Sequence, residues 1–468
     1  MSGGERGIKN WQRVIASLGL TIGFALFVLP GPDNWPPHAM AALGLVAIAV
    51  GFWSTEAIPV HLTSFIFFFL AVVLAVAPAS VVFSGFHSGA VWLVFAGVVI
   101  GIAVQKTGLG AQIAEAIITR FGKSYWGLIV GIGLTGFGTA FVMPSAMGRI
   151  VIMTPIIVAI ADRLGYPEDS RGRAGMILSF AFCTVIPAMA LLPATVPNVV
   201  FAGAVESIHG ITLRYTDFMA LHMTIAGSLS LVVLILLAGF LFHTPLPNKP
   251  NLSESTKTAL SSQQKRLALI LAITLGLWIT DKFHGVAPAW VGLGAAIACL
   301  LPIMKMVPPK ALAEEANYGP WFFVAGIIGL GAVVAQTGLA KILGASLINI
   351  IGIEQGADAF NFGALMLLGG TLTFALNLAG VPAVLTPLAA DIVQATGWPL
   401  TAVLMSQVTS FFLIFLPYQV APIFAGLLIG RVRMRHGIRM GLCYTAIYLF
   451  IISPLNFFWW RELGMFGS

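Results

Sequence analysis

Two stretches of this chain set residues that could bind a charged ligand inside otherwise apolar sequence. Thr139–Pro155 reads TAFVMPSAMGRIVIMTP, and Thr373–Pro387 reads TFALNLAGVPAVLTP. Pro144, Ser145 and Gly148 interrupt the first, and Asn377, Gly380 and Pro382 interrupt the second. Two further interruptions are LLPATVPN, with Thr195, Pro197 and Asn198, and PYQVAP, with Tyr418, Gln419 and Pro422. A helix broken at membrane depth leaves N–H and C=O groups that lipid cannot satisfy, so the break is buried in protein or faces a cavity or ligand. Broken helices present N–H groups that favour an anion at their starts and carbonyls that favour a cation at their ends. The chemistry these positions suit is the joint binding of a small anion and a cation. Asn198, Asn377, Tyr418 and Gln419 sit at corresponding breaks and are candidate substrate or ion contacts.

Arg149 is the sharpest single residue. It follows Ser145 by four positions, about 6 Å along a helix. A cation near the bilayer centre is costly and faces a cavity or a partner. It is either an anion-binding or coupling charge, or an arginine that satisfies free carbonyls or reaches cytoplasmic water. Asp391 lies farther from its tip, about 13 Å along a helix, where a solvated or capping role is favoured.

Other chemistries find less support. No Walker motif occurs, and His38, His61 and His87 lack metal-ligand spacing. No Ser/His/Asp set converges, so the chain does not read as an enzyme. Cys183, Cys299 and Cys443 are scattered in apolar runs and read as buried small hydrophobes. A channel-like permease would need a continuous polar pore, whereas the polar breaks here are isolated.

The elements that carry these breaks must be membrane helices. The 468 residues are 58% hydrophobic and 9% charged, with mean hydropathy +0.96, where a soluble domain carries about 25% charged residues. Apolar runs of about 20 residues, long enough to span hydrocarbon, recur from end to end. The expected fold is an all-α polytopic membrane protein. The net charge of +7 reflects where Lys and Arg sit and is no sign of nucleic-acid binding.

Spans are predicted over 13–30, 38–55 and 58–79, the first retained rather than cleaved, with Glu56 at the solvated junction between the last two. A fourth begins at Trp92 and leads into an amphipathic stretch, 106–123, whose Ile113, Ile117 and Ile118 suit a helix in the interface. A re-entrant hairpin is predicted over 124–161, with arms 124–142 and 146–161, and a broken helix over 174–208, apolar to 192. A span over 217–242 precedes the hydrophilic linker 245–266. The second half repeats the order after spans 267–280 and 286–303: WFFVAGIIGLGAVVAQTGLAK from Trp321 echoes WLVFAGVVIGIAVQKTGLGA from Trp92. A second hairpin is predicted over 360–396, with arms 360–376 and 381–396, and a broken helix over 398–430, apolar to Leu416. A last span, 438–458, has no counterpart. The predicted domains are thus a first repeat 1–244, a cytoplasmic linker 245–266 and a second repeat 267–468.

With the N-terminus in the cytoplasm, nineteen of the 24 Lys and Arg fall on the cytoplasmic side. Arg214, Lys282, Lys341 and Arg461 fall outside, and Arg149 stands apart. The two repeats then run in opposite directions. Inverted repeats with broken helices in matching positions point to a secondary transporter with a midplane site.

WSTEAIP at Trp53–Pro59, the TGL-led interfacial helices and the two hairpins resemble the divalent-anion/Na⁺ symporter family of the ion-transporter superfamily over nearly the whole chain. The resemblance implies a homodimer in the inner or plasma membrane, with a fixed scaffold and a moving transport domain working as an elevator. It implies a small divalent anion such as a dicarboxylate as substrate and Na⁺ as coupling ion. Sulfate or another oxyanion with altered or proton coupling is the alternative. The family's hairpin tips carry Ser-Asn-Thr ten residues before a proline. Here those positions hold Ser145-Ala146-Met147 and Asn377-Leu378-Ala379, so Ser145 alone matches, and Ala146 and Leu378 cannot donate to a carboxylate. Thr195–Asn198 resembles the family's T-x-P-N loop, and Pro417–Gln419 its second loop in some members. The implied substrate contacts are Ser145, Arg149, Asn198, Asn377, Gly380, Tyr418 and Gln419. The implied cation contacts are Ser145, Gly148, Thr195, Asn198, Asn377, Ala379 and Pro422.

Overall fold

The computed structural model describes residues 10–110, 112, 120–247 and 259–467. The described residues form helices and connecting turns, with no strand among them. Among the described residues, six helices are long and apolar enough to cross a membrane, or seven if one bent pair counts as a span. The centre of the polar linker, 248–258, and most of the amphipathic stretch after Thr107, with Ile113, Ile117 and Ile118, lie outside the described residues.

α1 (Asn10–Val28) and α2 (Ala39–Thr55) form an antiparallel pair joined through glycines. A Cβ added at Gly19 would stand 2.9 Å from the Gly51 Cα, and one at Gly44 would stand 2.8 Å from the Gly23 carbonyl oxygen. Only hydrogen at these positions lets the backbones come so close. Otherwise α1 is barely buried. Exposed Glu56 ends α2 with φ 49°.

α3 (Val60–Val73) is shorter than the predicted span, because the chain turns at Ala75 (φ 49°) and returns as short helices at Ala79–Val82 and Ser84–His87. α4 (Gly89–Thr107) then starts from Ser88, whose Oγ accepts from the Ala90 N–H at 3.1 Å.

The first hairpin is α5 (Tyr125–Val142) and α6 (Ala146–Arg163), with extended backbone at Met143 and Ser145. α7 (Arg171–Cys183) follows, and residues 172–190 are all buried. The break after α7 starts earlier than predicted: the helix ends at Cys183 rather than near 192. Pro187 explains this, since its ring clashes with the carbonyl four residues back and it has no N–H to offer. The chain passes through short turns at Pro187–Ala190 and Leu192–Ala194 before α8 (Val196–His209) resumes. α9 (Tyr215–Leu241) contains a π-helical turn at Met223–Gly227.

The second half holds α10 (Ser262–Ile279), α11 (Pro288–Leu300), α12 (Gly319–Gln336) and α13 (Leu339–Ile351). The second hairpin, α14 (Asp358–Leu385), departs from expectation at its tip. It turns at the single residue Asn377, and Gly380 and Pro382 lie within the returning helix. A second bend of 68° separates α14 from α15 (Ala389–Thr396); Pro387, inside that bend, again cannot continue a helix.

α16 (Leu400–Thr409) ends seven residues before the predicted Leu416. The cause is the terminal span α18 (Met434–Glu462), which satisfies backbone that a longer helix would use. The Tyr448 hydroxyl donates to the Thr409 carbonyl at 3.1 Å, and the Thr445 hydroxyl oxygen accepts from the Ile414 N–H at 3.1 Å. α17 (Ala421–Ile429) completes the second broken helix.

The halves interlock. The return arm α6 of the first hairpin packs on α17, and the second hairpin packs on α8. Each hairpin therefore lies against the broken helix of the opposite half. At one end, Arg431 pairs with Glu168 at 3.0 Å and Arg433 with Asp169 at 2.7 Å, joining the loops that follow α6 and α17.

Candidate functional site

Both return arms begin on a short polar side chain. Ser145 Oγ accepts from the Gly148 N–H at 3.1 Å, and Asn377 Oδ1 accepts from the Ala379 N–H at 3.0 Å. Each takes one of the orphan donors of a helix start. Asn377 has φ 52° and ψ 175°, a combination that residues with a side chain rarely adopt, so the turn stores strain at this residue. Among the described residues no acceptor takes the Ser145 hydroxyl proton or the Asn377 amide protons.

Arg149 is fully buried. Its Nε donates to Thr184 Oγ1 at 2.9 Å and its Nη2 to the Thr184 carbonyl at 2.7 Å. Nη1 donates to the carbonyls of Met143 and of Ala194, the latter at 3.1 Å. The guanidinium thus sits among four oxygens drawn from the first tip and the first break, and four of its five donors are used. It takes up carbonyls that the broken helices leave free.

Asn198 performs the complementary task. Its Nδ2 donates to the carbonyls of Met189 at 3.0 Å and Leu191 at 2.9 Å, which shapes the loop between α7 and α8. That fixes the amide orientation and leaves Oδ1 buried with no partner among the described residues. Thr195 Oγ1 is likewise buried and unpartnered. These two acceptors lie three residues apart at the start of α8, whose N-cap residue, Thr195, makes no side-chain cap bond. Two buried oxygens without donors suit a cation, because burial without a partner is costly.

The other predicted cation contacts sit differently. Gly148, Ala379 and Pro422 lie in the first turns of helices, where carbonyls point along the axis into the helix's own ladder. Gly380 is also inside a helical turn, and a Cβ there would meet Leu376 Cβ at 2.9 Å. Pro382 has no N–H, so the Leu378 carbonyl lacks its helical partner.

Gln419 is buried and occupied. Its Oε1 accepts from the Leu416 N–H at 2.7 Å, and its Nε2 donates to Thr373 Oγ1. This pins the second break to the first arm of the second hairpin. Tyr418 beside it is half exposed. The structure therefore gathers Ser145, Gly148, Arg149, Thr195 and Asn198 around the first tip and break, and Asn377, Gly380, Tyr418 and Gln419 around the second. The helices that carry the two groups pack on one another; among the described residues no hydrogen bond runs between the groups.

Sequence reasoning missed Thr184, Thr373, Thr445 and Tyr448. Thr184, a hydroxyl three residues before Pro187 in an apolar run, carried a readable signal. Tyr448 carried none.

The transmembrane-region family described as "Sodium:sulfate symporter transmembrane region" matches residues 8–466. A protein named sodium-dependent dicarboxylate transporter SdcS, from Staphylococcus saprophyticus, is 24% identical over 72% of this chain and 71% of its own length. Spinacia oleracea "Dicarboxylate transporter 1, chloroplastic" is 22% identical over 98% of this chain and 83% of its own. Bacillus subtilis "Putative malate transporter YflS" is 22% identical, with 95% of each chain covered. Among solved structures, the Alcanivorax borkumensis YdaH transporter superposes with TM-score 0.51 at 14% identity, covering 97% of this chain and 98% of its own, a likeness of fold alone.

Proposed function

We propose a function from one premise: the chain belongs to the sodium:sulfate symporter transmembrane family. It is a multi-pass membrane transporter and not an enzyme. Our reading is that it carries a small divalent anion, a dicarboxylate first, together with Na⁺. The observation that carries this is the pairing, at the first break, of an uncapped helix start with two unpartnered buried oxygens, Thr195 Oγ1 and Asn198 Oδ1. The N–H groups suit a carboxylate and the oxygens suit Na⁺. Ser145, Asn377 and Tyr418 supply further donors to the anion. The names of the relatives point to the same substrate class.

The interlocked halves support two inverted repeats, 1–244 and 267–468, joined by the linker 245–266, and an elevator-type movement of the hairpins and broken helices against a scaffold. We place the N-terminus in the cytoplasm of an inner or plasma membrane, on the Lys and Arg distribution, and expect a homodimer.

Arg149 favours a second reading of the coupling. A fixed cation already occupies four oxygens of the first tip and break. Coupling there is then reduced or proton-based, or the protein exchanges one anion for another. A sulfate or other oxyanion remains the rival substrate.

Proteoliposome uptake of labelled succinate and sulfate, with and without a Na⁺ gradient, tests both readings. Succinate uptake driven by Na⁺ is the expected result. Uptake that ignores Na⁺ but needs anion inside would establish exchange. No uptake of either anion under any cation gradient would overturn the proposal.

A further inference from the structure

α8 makes a second set of contacts at the end away from the break. Glu206 lies eight residues past Asn198, about 12 Å along the axis. Its Oε2 accepts from Ser88 Oγ at 2.9 Å and from the Gly89 N–H at 2.9 Å. Those are the cap and first residue of α4. The carboxylate therefore takes donors that the helix start cannot satisfy itself, at the positive end of its dipole. No Lys or Arg forms an ion pair with Glu206 among the described residues.

One turn earlier, Gly203 lets the helices close up. A Cβ there would stand 2.8 Å from Ala90 Cβ and 2.9 Å from Ser88 Oγ. Three residues past Glu206, His209 Nε2 donates to the Thr386 carbonyl at 3.1 Å, at the bend of the second hairpin. One end of α8 thus holds Thr195 and Asn198, and the other touches both α4 and the second hairpin.

We propose that Glu206 is a positioning residue, a releasable clamp that holds α8 on the start of α4 in one end state of transport and opens when the site changes sides. The inference rests on the elevator-type movement proposed above. The clamp consists of hydrogen bonds from two neutral groups, so it opens without separating an ion pair. While closed, it biases which face the site serves. An end state populated to a fraction f binds with its intrinsic Kd divided by f, so a clamp that favours one face weakens apparent affinity at the other.

The test is uptake kinetics in proteoliposomes of defined orientation, with KM measured from each face. Glu206→Gln keeps the shape and removes the charge. The expected result is a reciprocal change: KM falls on one face and rises on the other, by about threefold each. Ser88→Ala removes one of the two bonds, and should shift KM in the same sense by less; it serves if the glutamine variant does not fold. Two KM values that are unchanged, or that move together, overturn the clamp. Absence of transport by the unaltered protein would instead overturn the functional reading on which the clamp rests.

Discussion

Arg149 and Thr184 are joined twice, through Nε to the hydroxyl at 2.9 Å and through Nη2 to the carbonyl at 2.7 Å. One side chain thereby fastens the first hairpin to the end of α7, where the helix stops. Its remaining bonds reach Met143 and Ala194, on the tip and the break. The break after α7 is thus held by Arg149 from the hairpin just before it, whereas the break after α16 takes Tyr448 and Thr445 from the terminal span.

Arg149→Gln should therefore lower stability more than it changes substrate affinity. It strips donors from buried carbonyls, each costing about 1–3 kcal/mol when left unpaired. Arg149→Lys, with its charge kept and fewer donors, should fall between. Thermal denaturation in detergent gives the order. A glutamine variant of full stability with a raised anion KM would assign the charge to the substrate instead.

Thr195→Val and Asn198→Ala should separate. The threonine hydroxyl has no partner among the described residues, so its isosteric loss should leave the melting temperature unchanged or slightly higher. If Thr195 Oγ1 binds the coupling cation, half-maximal Na⁺ activation should move up by about tenfold, the effect of roughly 1.4 kcal/mol. Asn198→Ala also frees two carbonyls, so stability should fall by about 2 kcal/mol or more together with uptake. Na⁺ titration of initial rates, beside melting curves, reads both.

Asn377 has a structural task and a proposed functional one, and two substitutions tell them apart. Glycine accepts φ 52° freely but loses the side chain, whereas alanine loses it and adds strain of about 1 kcal/mol. Asn377→Gly should be the more stable of the two. Equal loss of substrate affinity in both would place the amide on the anion; affinity that tracks stability would confine it to the turn.

The loop pair Asp169–Arg433 sets a pH dependence. Hydrogen bonds from Arg433 hold the Asp169 carboxyl below its ordinary value of 3.8. A depressed carboxyl contributes stability above its unfolded value and loses it as pH falls through the folded one. Asp169→Asn should melt slightly below the unaltered protein at neutral pH. The difference should narrow below about pH 3.8. The group is fully exposed, so the effect should be small and weaken with salt.

Much of this architecture is legible because polar residues are conspicuous in apolar sequence. Ser145, Arg149, Asn198 and Asn377 mark both tips and the first break on that ground alone. Their partners are not legible. Met143, Ala194, Met189 and Leu191 contribute carbonyls, and a carbonyl leaves no trace in residue type. The helix ends were misplaced for two different reasons. Pro187 acts four residues upstream of itself, so the first break starts before the visible prolines cluster. Thr409 ends its helix because Tyr448, 39 residues on, takes its carbonyl, a contact that no local pattern announces. Gly380 and Pro382 suggested a turn by type, yet the turn needs one residue of positive φ, and Asn377 supplies it.

The glycine seam between α1 and α2 bears on how the chain is made. Those two helices complete their mutual contact from residues 10–55 alone, and α1 asks for little burial from the remainder. They also precede the broken helices in the chain, and so leave the ribosome before them. The pair can lock as a finished hairpin at the translocon, while the broken helices, whose backbone groups wait for Arg149 or for the terminal span, have nothing yet to fold against. Among the described helices, assembly therefore runs from the periphery toward the centre, with the residues from Met434 onward closing the backbone left open at Thr409 and Ile414.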